Sequence, residues 1–180
     1  LPDGYRFDID PNAVARAVLG KSTWAVLALT LDIELFTQLH YRQSIEPDSQ
    51  LSELFKDVFL YHWKEESQHA ILDELEWVRH DAGLTAEQRD RAVDEFIELV
   101  AAVDGILQAQ AKADAGYFVA KCGRTVQQAE GRAIEDAFLK AYRWQYIHSG
   151  AQHPHFGKVL SGLITQNQGQ RIQAALATLH

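Results

Sequence analysis

The segment FLYHWKEESQHAILDELEW, residues 59–77, sets His62, Glu66 and His69 four and three residues apart. On a helix that spacing stacks the three side chains on one face. A carboxylate and imidazoles aimed at one point are oxygen and nitrogen donors for a cation. With a single cysteine in the chain, the set suits iron or manganese better than a structural zinc site. Turned to water, the same face would be an ordinary charged stripe, and a lone Glu-x-x-His is common on solvated helices. The reading therefore depends on what other elements bring to the same depth.

Those elements read as all-α, because almost nothing alternates with a strand's period of two. Asp10-Pro11 opens a first helix expected to run to about Arg42, with Gly20 its weak point. Ser49 or Ser52 caps a second helix that continues to about His80. Thr85, with Gln88 three residues on, forms a capping box for a third helix from Ala86 to about Ala120. Thr125 is expected to cap a fourth that ends near His148, and Pro154 a fifth that ends near Leu179. Long helices joined by short loops make an antiparallel four-helix bundle with an additional C-terminal helix. Residues 1–180 form a single domain, with 1–10 an irregular N-terminal segment.

Two of these helices carry an acid inside an apolar face. Trp24, Leu27, Leu31, Glu34, Gln38 and Tyr41 share one face of the first, and Val93, Ile97, Val100, Asp104, Leu107 and Ala111 one face of the third. On the fourth, Ile134, Phe138, Ala141, Gln145 and His148 begin apolar and end polar. Buried acids are expected to be paired, protonated or bound to a cation, since a lone buried carboxylate costs several kcal/mol. Residues on antiparallel neighbours are level when equally far from the turn. The midpoint of Glu34 and Glu66 is position 50, and those of Asp104 with Gln145 or His148 fall at 124–126, all in turns. Both hairpins thus set their inward polar groups level at mid-bundle.

This pattern resembles the ferritin-like dimetal-carboxylate superfamily, in which helix one gives a Glu, helices two and four a Glu-x-x-His each, and helix three a carboxylate. The resemblance assigns metal-ligand roles to Glu34, Glu66, His69, Asp104 and His148, with no catalytic residue beyond the ligands. It implies two metal ions, iron first and manganese second, and an oxidase or oxygenase that activates dioxygen or peroxide toward a small organic substrate. A ferroxidase of the iron-storage type and a metal-free helical interaction module are the alternatives. Gln145 departs from the family, because QYIH has an amide where a carboxylate is expected. His62 resembles the extra histidine of the arylamine N-oxygenase group and is either a substitute ligand or a core histidine.

Blander roles remain beside these. Glu65, Asp73 and Glu74 read as surface acids, with Asp73 a second acceptor that would orient His69. Asp32 rivals Glu34 as the buried acid of the first helix, and Asp114, Glu130 and Glu135 rival Asp104. A net charge of −8 without a Lys/Arg cluster argues against nucleic acid. No apolar run approaches the roughly 18 residues of a membrane span, so no membrane partner is expected and the cytoplasm is the expected compartment. A monomer or homodimer suits an oxidase, and a hollow shell suits storage. Methionine is absent, position 1 included, as expected of a processed fragment or of a sequence from which such residues were left out.

Overall fold

The computed structural model describes residues 2–7 and 9–179. Among them every regular element is helical. Residues 1 and 8, which fall in the expected irregular start, lie outside the described residues. Tyr5 of that segment donates its hydroxyl to Asp114 Oδ1 at 2.7 Å, which fastens the segment to the rest of the chain.

The expected first helix is two. α1 (Pro11–Leu19) starts on the Asp10 cap and stops at Gly20, and α2 (Thr23–His40) restarts on Ser22, whose hydroxyl accepts from Ala25 N. Glu95 accepts the Ser22 N–H at 2.8 Å, so the break is held by a tertiary bond that local periodicity does not reveal. α2 runs on into a π-helical turn, Tyr41–Ile45. α3 (Glu53–Asp81) is capped by Ser52 rather than Ser49. α4 (Ala86–Lys121) has the expected capping box of Thr85 and Gln88.

α5 (Gln128–Arg143) has Gln127 in the cap position, two residues beyond the expected Thr125. Gly123 takes the left-handed conformation at φ 73°, and Gln127, which precedes the helix, is extended. α5 widens at its end into a second π-helical turn, Trp144–His148, followed by the short α6 (Ser149–Ala151). The expected fifth helix also divides. α7 (Pro154–Leu163) and α8 (Gln166–Leu176) are separated by Thr165, which forms a second capping box with Gln168.

α2 is the centre of the packing. It lies against α3 and α4 along its length and meets α6, α7 and the Trp144–His148 turn, while α4 also carries α5 and α8. Its composition explains this, since Trp24, Ala25, Ala28, Leu31 and Leu35 are all buried. Trp24 and Trp77 meet edge to face at 5.0 Å, and Trp77 stacks on Phe156 at 5.9 Å, joining α2, α3 and α7. Emptying either indole site would cost about 3–5 kcal/mol. The Trp24 Nε1–H donates to Asp81 Oδ1 at 2.9 Å, and Arg89 grips the same carboxylate from α4. These contacts fix the depth of α3 against α2. Among the described residues no helix is long and apolar enough to cross a membrane.

Candidate metal centre

α2 and α3 bring Glu34, Glu66 and His69 together, as their levels about the intervening turn require. One donor atom from each of the three lies within 4.8 Å of the others. His69 Nδ1 is 2.8 Å from Glu66 Oε2 and 3.8 Å from Glu34 Oε1. His62 stands one turn earlier, its Nδ1 3.0 Å from Glu66 Oε1. Both oxygens of Glu66 therefore face an imidazole, one on each side. The two carboxylates are mostly covered, at 16% and 14% side-chain exposure, whereas His62 and His69 stand at the rim at 42% and 45%. A solvent ion would meet the histidines first.

The helix contacts also tie the backbone at this level. Gln38, one turn after Glu34, donates to the Glu66 carbonyl at 3.4 Å, and Ser67 donates to Gln38 Oε1 at 3.4 Å and to the Trp63 carbonyl at 2.7 Å. These bonds hold the two helices in register across the carboxylate pair.

Burial pushes the Glu34 carboxyl up to about 8, helped by its hydrogen bond to Glu66 and by the negative charges of Glu66, Asp73 and Glu65. Burial acts upward on Glu66 too, but the bonds from Glu34 and His69 and the nearness of His62 outweigh it and hold Glu66 below the ordinary value. At neutral pH Glu34 keeps its proton and donates it to Glu66. The pair thus carries one negative charge and one exchangeable proton, which a cation can displace.

The structure treats the other predicted ligands differently. Asp104 is buried on α4, but its partner is a guanidinium: Arg143 donates Nε to Oδ1 at 2.6 Å and Nη2 to Oδ2 at 2.9 Å, and Gln108 donates to Oδ2 at 2.6 Å. The expected level was met, since Arg143 lies beside Gln145 in sequence, but the cation is supplied by the protein. His148 places Nε2 2.8 Å from the Leu179 carbonyl. Gln145 and His148 both lie in the π-helical turn, whose wider winding removes the common direction that an α-helix gives positions i and i+3. His148 is not in the donor group of Glu34, Glu66 and His69. Asp73 acts on the site through its charge on Glu34.

The rivals are placed as well. Asp32 is buried on α2, about 200° around the helix from Glu34, where burial holds its carboxyl well above the usual carboxylate range. Asp114 is half-buried and accepts from Tyr5, Gln110 and Tyr142. Glu130 pairs with Arg124 at the turn. Glu74, expected to face solvent, accepts from His155 Nε2 at 2.7 Å. Arg143 is the residue that sequence reasoning missed. The signal was available, because a buried acid needs a partner and Arg143 is the basic residue nearest the level of Asp104 on the facing helix.

The chain matches no protein-family model, and neither a curated protein nor a solved structure is significantly similar to it. The functional reading therefore rests on its own residues.

Proposed function

We propose that this is a metal-binding protein whose centre is built on the α2–α3 pair, with Glu34, Glu66 and His69 as ligands and His62 beside them. The observation that carries the reading is the convergence of those three donor groups within 4.8 Å, with two partly buried carboxylates among them. Donor separations of this size close on an ion through small side-chain rotations. The oxygen and nitrogen donors suit iron, with manganese second.

The finer reading is a ferritin-like four-helix bundle with an oxidoreductase centre. In its support, a Glu on one helix meets a Glu-x-x-His on the next, which is half of that family's ligand set. Of the other half, Asp104 and His148 are engaged elsewhere, so one ion per chain is proposed, at Glu34, Glu66 and His69. A second ion would have to take Asp104 from Arg143. Iron at this position would supply activation of dioxygen or peroxide. The chain's own part is to bind the ion through Glu66 and His69, to give up the Glu34 proton as it binds, and to keep His62 on the free side of Glu66.

Thermal unfolding with and without excess metal tests the proposal. Ferrous or manganous ion at a hundredfold excess over Kd is expected to raise Tm by about 5 °C or more, because a ligand that binds only the native state must stabilise it. An unchanged Tm with either ion would favour the metal-free module.

A further inference from the structure

We infer that the cavity between α2, α4, α6, α7 and α8 is a second binding site, for an apolar organic amine whose ammonium group sits on the Asp32 carboxyl. The cavity holds about 500 Å³, a volume in the range of small-molecule sites. Its walls are chiefly apolar, with Phe96, Phe156, Leu160, Ile164 and Ile172 along them, and Asp32 is the one charged side chain among its described lining residues. It lies across α2 from Glu34, so the inference does not depend on the metal reading.

Asp32 does not look like a residue kept for stability. It is 6% exposed, and among the described residues no donor reaches its Oδ1. Leaving a buried carboxyl oxygen without a donor costs about 1–3 kcal/mol or more, whereas a hydrophobic residue there would pack at no such cost. The carboxyl is also held tightly. A Cβ on Gly150 would stand 2.5 Å from Oδ1 and 2.7 Å from Cγ, so glycine is what lets α6 close against it. The chiefly apolar lining of the cavity therefore includes one carboxyl group whose position is set by the close approach of α6.

The ligand that completes this arrangement is an amine that enters neutral, takes the Asp32 proton and stays as an ammonium group on the resulting carboxylate, with an apolar body along the rest of the cavity. An alcohol supplies the donor without the charge. A metal ion would find one carboxylate and no convergent donors, since Asp32 belongs to no candidate metal group among the described residues. The net charge of −8 favours approach of a cation over an anion.

Octylamine and octan-1-ol, titrated calorimetrically into the chelator-treated full chain, test the inference. Octylamine is expected to bind at least about tenfold more tightly than the alcohol, because only the amine forms a charge-assisted bond with Asp32. Asp32→Asn is expected to bring the two within about twofold, and Ile172→Trp, which fills the cavity, to weaken both about tenfold or more. Glu66→Ala is expected to leave octylamine binding unchanged. Equal affinities for amine and alcohol in the wild type, or no binding of octylamine, would overturn the inference. So would amine binding that survives Ile172→Trp or is lost in Glu66→Ala. If Asp32→Asn does not fold by circular dichroism, the wild-type comparison and Ile172→Trp still decide.

Discussion

Arg143 clasps Asp104 through two parallel hydrogen bonds, at 2.6 and 2.9 Å, with side-chain exposures of only 15% and 6%. The pair joins α4 to α5 at the level where the sequence led us to expect a metal. Removing one partner of a buried pair leaves the other charge uncompensated, so Asp104→Ala is expected to lower stability by about 3–5 kcal/mol. Chemical denaturation checks the size of the loss. Metal content is expected to stay at the wild-type level in the folded Asp104→Asn variant. A drop by half would instead show that Asp104 holds a second ion.

The same pair sets an acid limit. Burial raises the Asp104 carboxyl, but the Arg143 and Gln108 bonds outweigh it and hold the folded-state value below the ordinary one. Its contribution is present above the unfolded value, about 3.9, and is lost as pH falls through the lower folded value. Equilibrium unfolding between pH 5 and pH 2 is expected to show a smaller acid-induced loss in Asp104→Asn than in the wild type.

Glu34 gives the opposite sign. Its folded value of about 8 exceeds the unfolded one, so between about pH 4.5 and pH 8 the metal-free native state binds more protons than the unfolded chain. This contribution is fully present below the unfolded value and is lost as pH rises through about 8. Metal binding requires the proton to leave, so affinity is expected to rise from pH 6 to pH 8.5 and flatten above. Glu34→Gln is expected to bind more weakly with a shallower slope. Calorimetry in buffers of different ionisation enthalpy measures the released proton directly.

His62 and His69 flank the same carboxylate but are not equivalent, because only His69 also approaches Glu34. His69→Ala is expected to reduce metal affinity by about a hundredfold or more and His62→Ala by about tenfold, the size of effect typical of a residue that orients a ligand. Competition with a fluorescent chelator ranks the two variants. An equal loss would make His62 a full ligand.

Gly150→Ala is expected to destabilise the chain by about 1–3 kcal/mol, although alanine is the better helix former. The added methyl would stand within 2.7 Å of the Asp32 side chain and backbone carbonyl, so α6 must move away from α2. Thermal melts of this variant beside Gly131→Ala, where a Cβ meets nothing within 4 Å, separate packing from propensity.

How far the sequence could be read differs from feature to feature. The start of α4 was legible because a capping box is a local device, with Thr85 and Gln88 only three residues apart. The meeting of Glu34 with Glu66 and His69 was legible because all three lie in regular α-helical stretches, with Glu34 and Glu66 equally far from the midpoint of the connection between them. At Gly20 the weak point was legible but the break was not, since Glu95 from a distant helix accepts the Ser22 N–H there. On α5, face counting assumed α-helical winding through Gln145 and His148, but the chain widens into a π-helical turn there. Face counting also overlooks a long side chain such as Arg143, which can reach a neighbour from off the apolar stripe. Asp32 stood in the sequence as a rival acid, yet the cavity beside it takes its walls from five helices and has no local signature.

Metal content of the chain tests the central claim most directly. The purified protein and its Glu66→Ala variant would be incubated anaerobically with ferrous ion, desalted and measured by plasma mass spectrometry. About one iron per chain is expected in the wild type and about a tenth of that or less in the variant, because Glu66 faces every other member of the site. Iron absent from both, or present equally in both while each is folded, would contradict the assignment of Glu34, Glu66 and His69 as a metal centre.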